Sequence, residues 1–217
     1  MRKLIQGIMD FRRQRRSDYA ETFAKLALGQ NPDVLFIACS DSRVAVNVFA
    51  STDPGDMFVV RNVGNLIPPC DVDGRSLADE SEASAIEFAM MKLEVGHIIV
   101  CGHSDCGAIK ALLEGRAGIG PPNLRAWLRH AEPAVAAAKK TGAELDVSAV
   151  SKRNVLAQLE HIRTYPAVRE RIDRGAVQLH GLWFDIRQAE VYYYEPGLDT
   201  FVAIDEAEGR RILSSLK

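Results

Sequence analysis

At 217 residues, 47% apolar and 26% charged, the chain is long enough to bury a sizeable core and too apolar to stay disordered. Its 27 basic and 29 acidic side chains leave a net charge of −2, which gives no overall attraction for nucleic acid or an anionic membrane. Four cysteines, at 39, 70, 101 and 106, are too few and too uneven for a secreted disulfide scaffold, which points to a soluble cytoplasmic protein.

Residues 1–29 read as an amphipathic helical arm, with Leu4, Ile5, Ile8, Met9 and Phe11 followed by Tyr19, Phe23, Leu26 and Leu28. Gln6, Gly7 and Asp10 interrupt the apolar run, which falls far short of the ~20 residues a membrane span needs, and no cleavage pattern follows. Seven basic side chains against three acidic ones in residues 1–30 suit a solvated face, or an arm lying across a second subunit. Residues 34–39 form a continuous apolar run, the mark of a strand buried on both faces, and 57–60, 98–101 and 177–184 repeat it. Helix-period segments lie between them at 80–93, 124–140 and 147–162. The first of these is expected to place Ala83, Ile86, Phe88, Met90 and Leu93 on one stripe. Residues 115–122, rich in glycine and proline, read as the one flexible loop. Residues 192–194 and 201–204, joined through Pro196 and Gly197, predict an antiparallel hairpin extending the sheet from the fourth strand. Asp205 is placed to cap a last helix. The pattern predicts an α/β fold, a mostly parallel sheet flanked by helices, as one domain over residues 1–217.

The chemistry gathers beyond two strand ends. The first strand closes on Cys39, followed by Ser40, Asp41, Ser42 and Arg43, and the third runs into Gly102-His103-Ser104-Asp105-Cys106-Gly107. Strand C-termini in an open parallel sheet feed the crevice where ligands bind, so Cys39, His103 and Cys106 can meet there. Two thiolates and one imidazole suit zinc, and three protein ligands leave the fourth position for water or substrate. Taken alone, Cys39 reads as a small apolar core residue. Cys101 offers an alternative partner for His103 but sits inside the apolar run, whereas Cys106 lies in the glycine-bounded turn; Cys70 reads as an unpaired loop thiol. Asp41 is placed either to become a fourth ligand or to accept a hydrogen bond from metal-bound water, with Arg43 able to hold it ionised.

These segments, together with Val60-Arg61-Asn62-Val63-Gly64-Asn65-Leu66, Glu87-Phe88-Ala89, Asn154-Val155, Gln158, Tyr165-Pro166-Ala167-Val168 and Leu179-His180-Gly181, closely resemble the signatures of β-class carbonic anhydrases. The likeness runs in order over residues 30–200. It implies one zinc per subunit on Cys39, His103 and Cys106, a catalytic dyad of Asp41 and Arg43, and reversible hydration of carbon dioxide to bicarbonate by zinc-bound hydroxide. It further implies a homodimer, or a larger assembly of dimers, with active sites near the interface and the arms embracing the partner. Members with bicarbonate-regulated closure carry Trp, Gly, Arg and Tyr where this chain has Phe36, Ala38, Arg61 and Phe184, so the regulatory pocket is expected to be absent. Gln30 matches the glutamine that plant-type, open-site members aim at substrate. Phe58, Val63 and Phe88 match apolar pocket positions, and backbone N–H groups from Gly102 to Gly107 are placed to assist. Plant-type relatives have Tyr and His at Phe88 and Lys92, which leaves the proton shuttle unassigned. The alternatives are a carbonyl sulfide or carbon disulfide hydrolase on the same scaffold, and a non-catalytic zinc or thiol-redox module.

Overall fold

The computed structural model describes residues 1–78, 80–140 and 145–216. The strands are β1 (Val34–Cys39), β2 (Met57–Asn62), β3 (His97–His103), β4 (Gln178–Asp185), β5 (Glu190–Glu195) and β6 (Thr200–Ala203). They form one sheet in the order β2-β1-β3-β4-β5-β6. β1 pairs in parallel with both β2 and β3, and β3 with β4. The last two strands add in antiparallel fashion, so the expected hairpin does extend the sheet from the fourth strand. The chain steps outward from β1 to β2, then returns to lay β3 along the other side of β1. That reversal opens a crevice beyond the carboxyl ends of β1 and β3.

Burial on both faces explains the unbroken apolar runs. Leu35 and Ile37 pack with Ile98 and Val100 against Ile86, Met90, Val155 and Ile162. Phe36 and Ala38 point the other way, into a cluster with Val44, Val46, Cys101 and Phe184. Each such large side chain, fully buried, contributes about 1.5–3 kcal/mol. The ladders also draw in polar neighbours: Ala38 is paired with Arg61, Cys39 with Asn62, and His103 with Phe184. β2 and β3 are therefore longer than their apolar runs.

The helices are α1 (Arg2–Asp10), α2 (Arg16–Leu26), α3 (Val46–Phe49), α4 (Glu80–Phe88), α5 (Gly107–Gly115), α6 (Pro122–Trp127), α7 (Glu132–Lys140), α8 (Val147–Ile162), α9 (Pro166–Asp173) and α10 (Glu206–Ser215). α8 has the expected bounds. Its first turn is capped by Asp146, whose carboxylate accepts from the Ala149 N–H at 2.9 Å. α10 is capped in the same way by Asp205. The helix expected over 124–140 is instead two, with a 3₁₀ turn at Leu128–Ala131 between them. Pro133 is the reason: it has no N–H to offer a preceding turn, and its ring obstructs the carbonyl four residues back. The stripe expected on 80–93 also needs correction. Ala83, Ile86 and Met90 are buried, but Phe88 is 43% exposed and Ala89 takes the inward place. Phe88 follows Ile86 by two residues, about 200° around a helix. α4 continues into a wider π-type turn, Ala89–Leu93, which stops at Glu94 with φ 52°.

The arm is helical, as expected, with a π-type turn at Phe11–Arg15 joining α1 to α2. None of its helical residues is buried, and Leu4 and Ile8 stay more than half exposed. Against the sheet, α8 packs on β3 and β4. The approach is close because Gly102 and Gly181 face it: a Cβ on Gly102 would lie 2.8 Å from Val155 Cγ2. The buried stripe of α8 includes Ser151, Asn154 and Gln158, and these polar groups serve the site above the sheet.

Candidate metal centre

Cys39 ends β1, His103 ends β3, and Cys106 stands in the turn before α5. Their ligand atoms all lie within 4.8 Å of one another, and all three residues are buried. Among the described residues no other set of His, Cys, Asp or Glu side chains converges this way. The imidazole is fixed by its own neighbour: His103 Nδ1 lies 2.8 Å from the Ser104 carbonyl oxygen, so Nδ1 carries the hydrogen and donates it. Nε2 is left with a bare lone pair, buried and without a hydrogen-bond partner. A buried, unmet imidazole nitrogen beside two sulfurs fits a thiophilic divalent ion such as zinc. Cys101 is excluded from this set. It lies in the apolar cluster with Phe36 and Ala38, its thiol 3.4 Å from the Gly102 carbonyl oxygen, and burial pushes its pKa up to about 12.

The surroundings of the two sulfurs differ. The Cys39 thiol is drawn well below the ordinary thiol range, first by its contact with Cys106 and after it by the N–H groups of Asp41 and Gly64. Those two N–H groups each lie 3.4 Å from Cys39 Sγ. Cys106, as donor to the Cys39 thiolate, is held above the ordinary thiol range.

Beside the trio, Arg43 grips Asp41. Asp41 Oδ1 accepts from the Arg43 backbone N–H at 2.9 Å and from Nε at 3.0 Å; Oδ2 accepts from Nη2 at 2.7 Å. The guanidinium holds the carboxyl well below the usual carboxylate range, so it is ionised across the physiological span. Oδ1 has used both lone pairs and Oδ2 one, which leaves a single acceptor site on Oδ2. Arg43 also reaches the Asp105 carbonyl at 3.1 Å, tying the loop after β1 to the turn after β3.

Several positioning groups were legible only as part of the family likeness. Arg61 donates to the carbonyls of Cys39 and Asp41, at 2.9 and 2.7 Å through Nη2. The 62–67 loop is held by buried amides: Asn62 with both backbone groups of Leu66, Asn154 with the Gly64 carbonyl, and Gln158 with the Ile67 N–H. Ser151 donates to the His103 carbonyl at 2.8 Å. Helical periodicity alone places Asn154 and Gln158 on the inner face of α8 but says nothing of their partners.

The substrate-side residues are more scattered. Val63 is half exposed beside the trio, and its carbonyl accepts from Trp127. Gly102 faces α8, where it serves close packing. Gln30 is exposed beyond α2. Phe58 pairs with Leu35, four residues and about 13 Å below Cys39 along the strand, and its ring lies 5.8 Å from that of Phe88. Within a single chain the strand register thus sets Phe58, and the Phe88 ring beside it, away from the trio.

A carbonic anhydrase family model matches residues 34–191, which takes in all three cysteine and histidine ligand candidates. The chain belongs to the β-carbonic anhydrase family. It is 39% identical over 208 residues to a carbonic anhydrase of Synechocystis sp., covering 94% of this chain and 74% of that one. It is 36% identical over 209 residues to a carbonic anhydrase of Pseudomonas aeruginosa, covering 95% and 93% of the two chains. The solved β-carbonic anhydrase CcaA superposes with a TM-score of 0.86 at 38% identity, covering 97% of this chain and 96% of its own. Among the described residues, no helix of this family member is long and apolar enough to cross a membrane.

Proposed function

We propose that the protein interconverts carbon dioxide and bicarbonate on one zinc ion per chain, held by Cys39, His103 and Cys106. The observation that carries this reading is the bare, buried Nε2 of His103 between two cysteine sulfurs, beside an ionised Asp41. Zinc, when bound, supplies a Lewis acid that makes hydroxide available from water near pH 7. Asp41 Oδ2, with its one remaining lone pair, accepts the hydrogen of that nucleophile and so turns the attacking oxygen toward carbon dioxide. Arg43 keeps Asp41 ionised and still, because three of the four carboxylate lone pairs are already engaged. An Asp41 gripped in this way stands apart from the ligand trio, which supports an open fourth position. The same pair speaks against a non-catalytic zinc or thiol-redox module, which has no use for a fixed carboxylate at that point.

Gln30, Phe58 and Phe88 fit the reading if a second copy supplies them. The exposed apolar side of α1 and the half-exposed Phe88, beside the partly buried Phe58, favour a homodimer in which the arm, residues 1–29, lies across the partner. Relatives of this fold include β-carbonic anhydrases of Sordaria macrospora described as tetrameric. Four cysteines outside any disulfide suit a reducing, cytoplasmic setting for one such domain. Stopped-flow carbon dioxide hydration with and without a strong zinc chelator, beside metal analysis, is the test. Activity that follows about one zinc per chain supports the reading; full activity in metal-free protein overturns it.

A further inference from the structure

We infer that Trp127 is a positioning residue for the metal ligand Cys39, acting through a single peptide group. At the end of α6 its indole Nε1–H donates to the Val63 carbonyl at 2.7 Å. That carbonyl and the Gly64 N–H are opposite ends of one rigid, planar unit. The Gly64 N–H in turn points at Cys39 Sγ, 3.4 Å away. Fixing the oxygen therefore aims the N–H at the sulfur. The indole packs with the buried cluster that holds Cys39, Leu66 and Cys106, so its ring is anchored on the same side. The next carbonyl, that of Gly64, is held by Asn154 at 3.1 Å, which fixes the peptide plane that follows. Gly64 itself has φ 87°, and a Cβ there would lie 3.0 Å from that of Ala108, which explains the glycine.

Two N–H groups thus reach Cys39, and different parts of the chain hold them. Arg61 braces the Asp41 N–H by gripping the carbonyls on either side of it, and Trp127 braces the Gly64 N–H. A hydrogen bond to a thiolate draws negative charge from the sulfur and weakens its donation to a metal. Outer partners of this kind commonly change metal affinity or activity by about 10–100-fold. Trp127 therefore sets how much of the metal's charge Cys39 cancels, without touching metal or substrate. The assignment rests on the zinc reading above.

The test replaces Trp127 by benzothienylalanine, which keeps the ring shape and removes only the N–H, with Trp127→Phe as a second variant. Cobalt is loaded in place of zinc. The expected results are a thiolate-to-cobalt charge-transfer band at lower energy and Gly64 amide exchange about tenfold faster. Thermal unfolding of the isosteric variant stays near that of the parent. An unchanged band with unchanged Gly64 exchange in both variants overturns the assignment. If the parent takes up no metal, the zinc reading has failed instead, and Gly64 exchange in metal-free protein still decides whether Trp127 holds the amide.

Discussion

Strand β3 carries a histidine at each end, and the fold treats them oppositely. At the carboxyl end His103 has Nδ1 tied to its neighbour's carbonyl and Nε2 bare between two sulfurs. At the other end His97 Nδ1 lies 3.1 Å from His180 Nε2, whose own Nδ1 meets the Tyr193 hydroxyl at 3.2 Å. Both nitrogens of His180 are thus spoken for by side chains, and no metal is called for. His130 completes the lesson: its Nε2 is buried and unpartnered, yet among the described residues it belongs to no converging set of three ligand groups, and it packs edge-on to Trp127. Burial of a histidine, or even an unmet nitrogen, is not enough. A metal site needs the unmet lone pair and the thiolates at one point.

The largest expected effect would break this contrast outright. Cys106→Ser should lower zinc affinity by at least about 10²-fold, since only two ligands remain, whereas Cys101→Ser should keep zinc. Metal analysis after dialysis reads both; the opposite pattern would move the site to Cys101. Asp41→Asn comes next, keeping zinc but losing about 10²-fold or more in hydration rate, because the neutral amide presents the wrong group to the nucleophile. Full activity in that variant removes Asp41 from the mechanism. Gln158→Leu leaves the buried Ile67 N–H and His130 carbonyl unmet, with an expected loss of about 2 kcal/mol or more in urea unfolding. A change within error would mean that water replaces the amide.

The other end of the sheet gives a pH test. Burial, and then the charge of His97, lower His180 to about 4. A base with a folded pKa below its unfolded value leaves the unfolded chain holding the extra proton as pH falls. Its contribution to stability is therefore present above about pH 6.5 and is lost toward pH 4, at up to about 1.4 kcal/mol per unit. His180→Gln should flatten the urea midpoint against pH across that window. The slope should not vanish, because His130 and His161 are shifted the same way. The smallest effect is expected far from either end: Arg174→Ala removes an exposed helix pair with Glu170 and should cost no more than about 0.5 kcal/mol.

The legible part of the fold was the part with strong periodicity. β1 and α8 have the expected bounds because one is apolar throughout and the other combines an aspartate cap with a regular stripe. The short helices α3, α5 and α9 carried no such signal, and Pro133 divided a helix that apolar spacing alone made continuous. Phe88 was misplaced because a large apolar residue was weighed above its angular position. At the site, Cys39, His103, Cys106, Asp41 and Arg43 could be read because short fixed spacings at two strand ends carry them. The partners of Asn154, Gln158 and Trp127 could not, since each reaches across more than 60 residues of sequence.

What the sequence determined by itself, then, was the alphabet of the site: two strand-end motifs able to offer two thiolates, an imidazole and an arginine-held carboxylate. Four cysteines, first notable only for the disulfides they could not form, were already divided by their surroundings into core and turn. Tertiary structure decided which lone pairs are met. It closed Nδ1 of His103 and left Nε2 open, sank Cys101 into the core, engaged three of the four lone pairs of Asp41, and aimed two N–H groups at Cys39. Spacing along a chain brings groups near one another, but hydrogen-bond satisfaction is settled by contacts between distant segments, and only the folded molecule makes them.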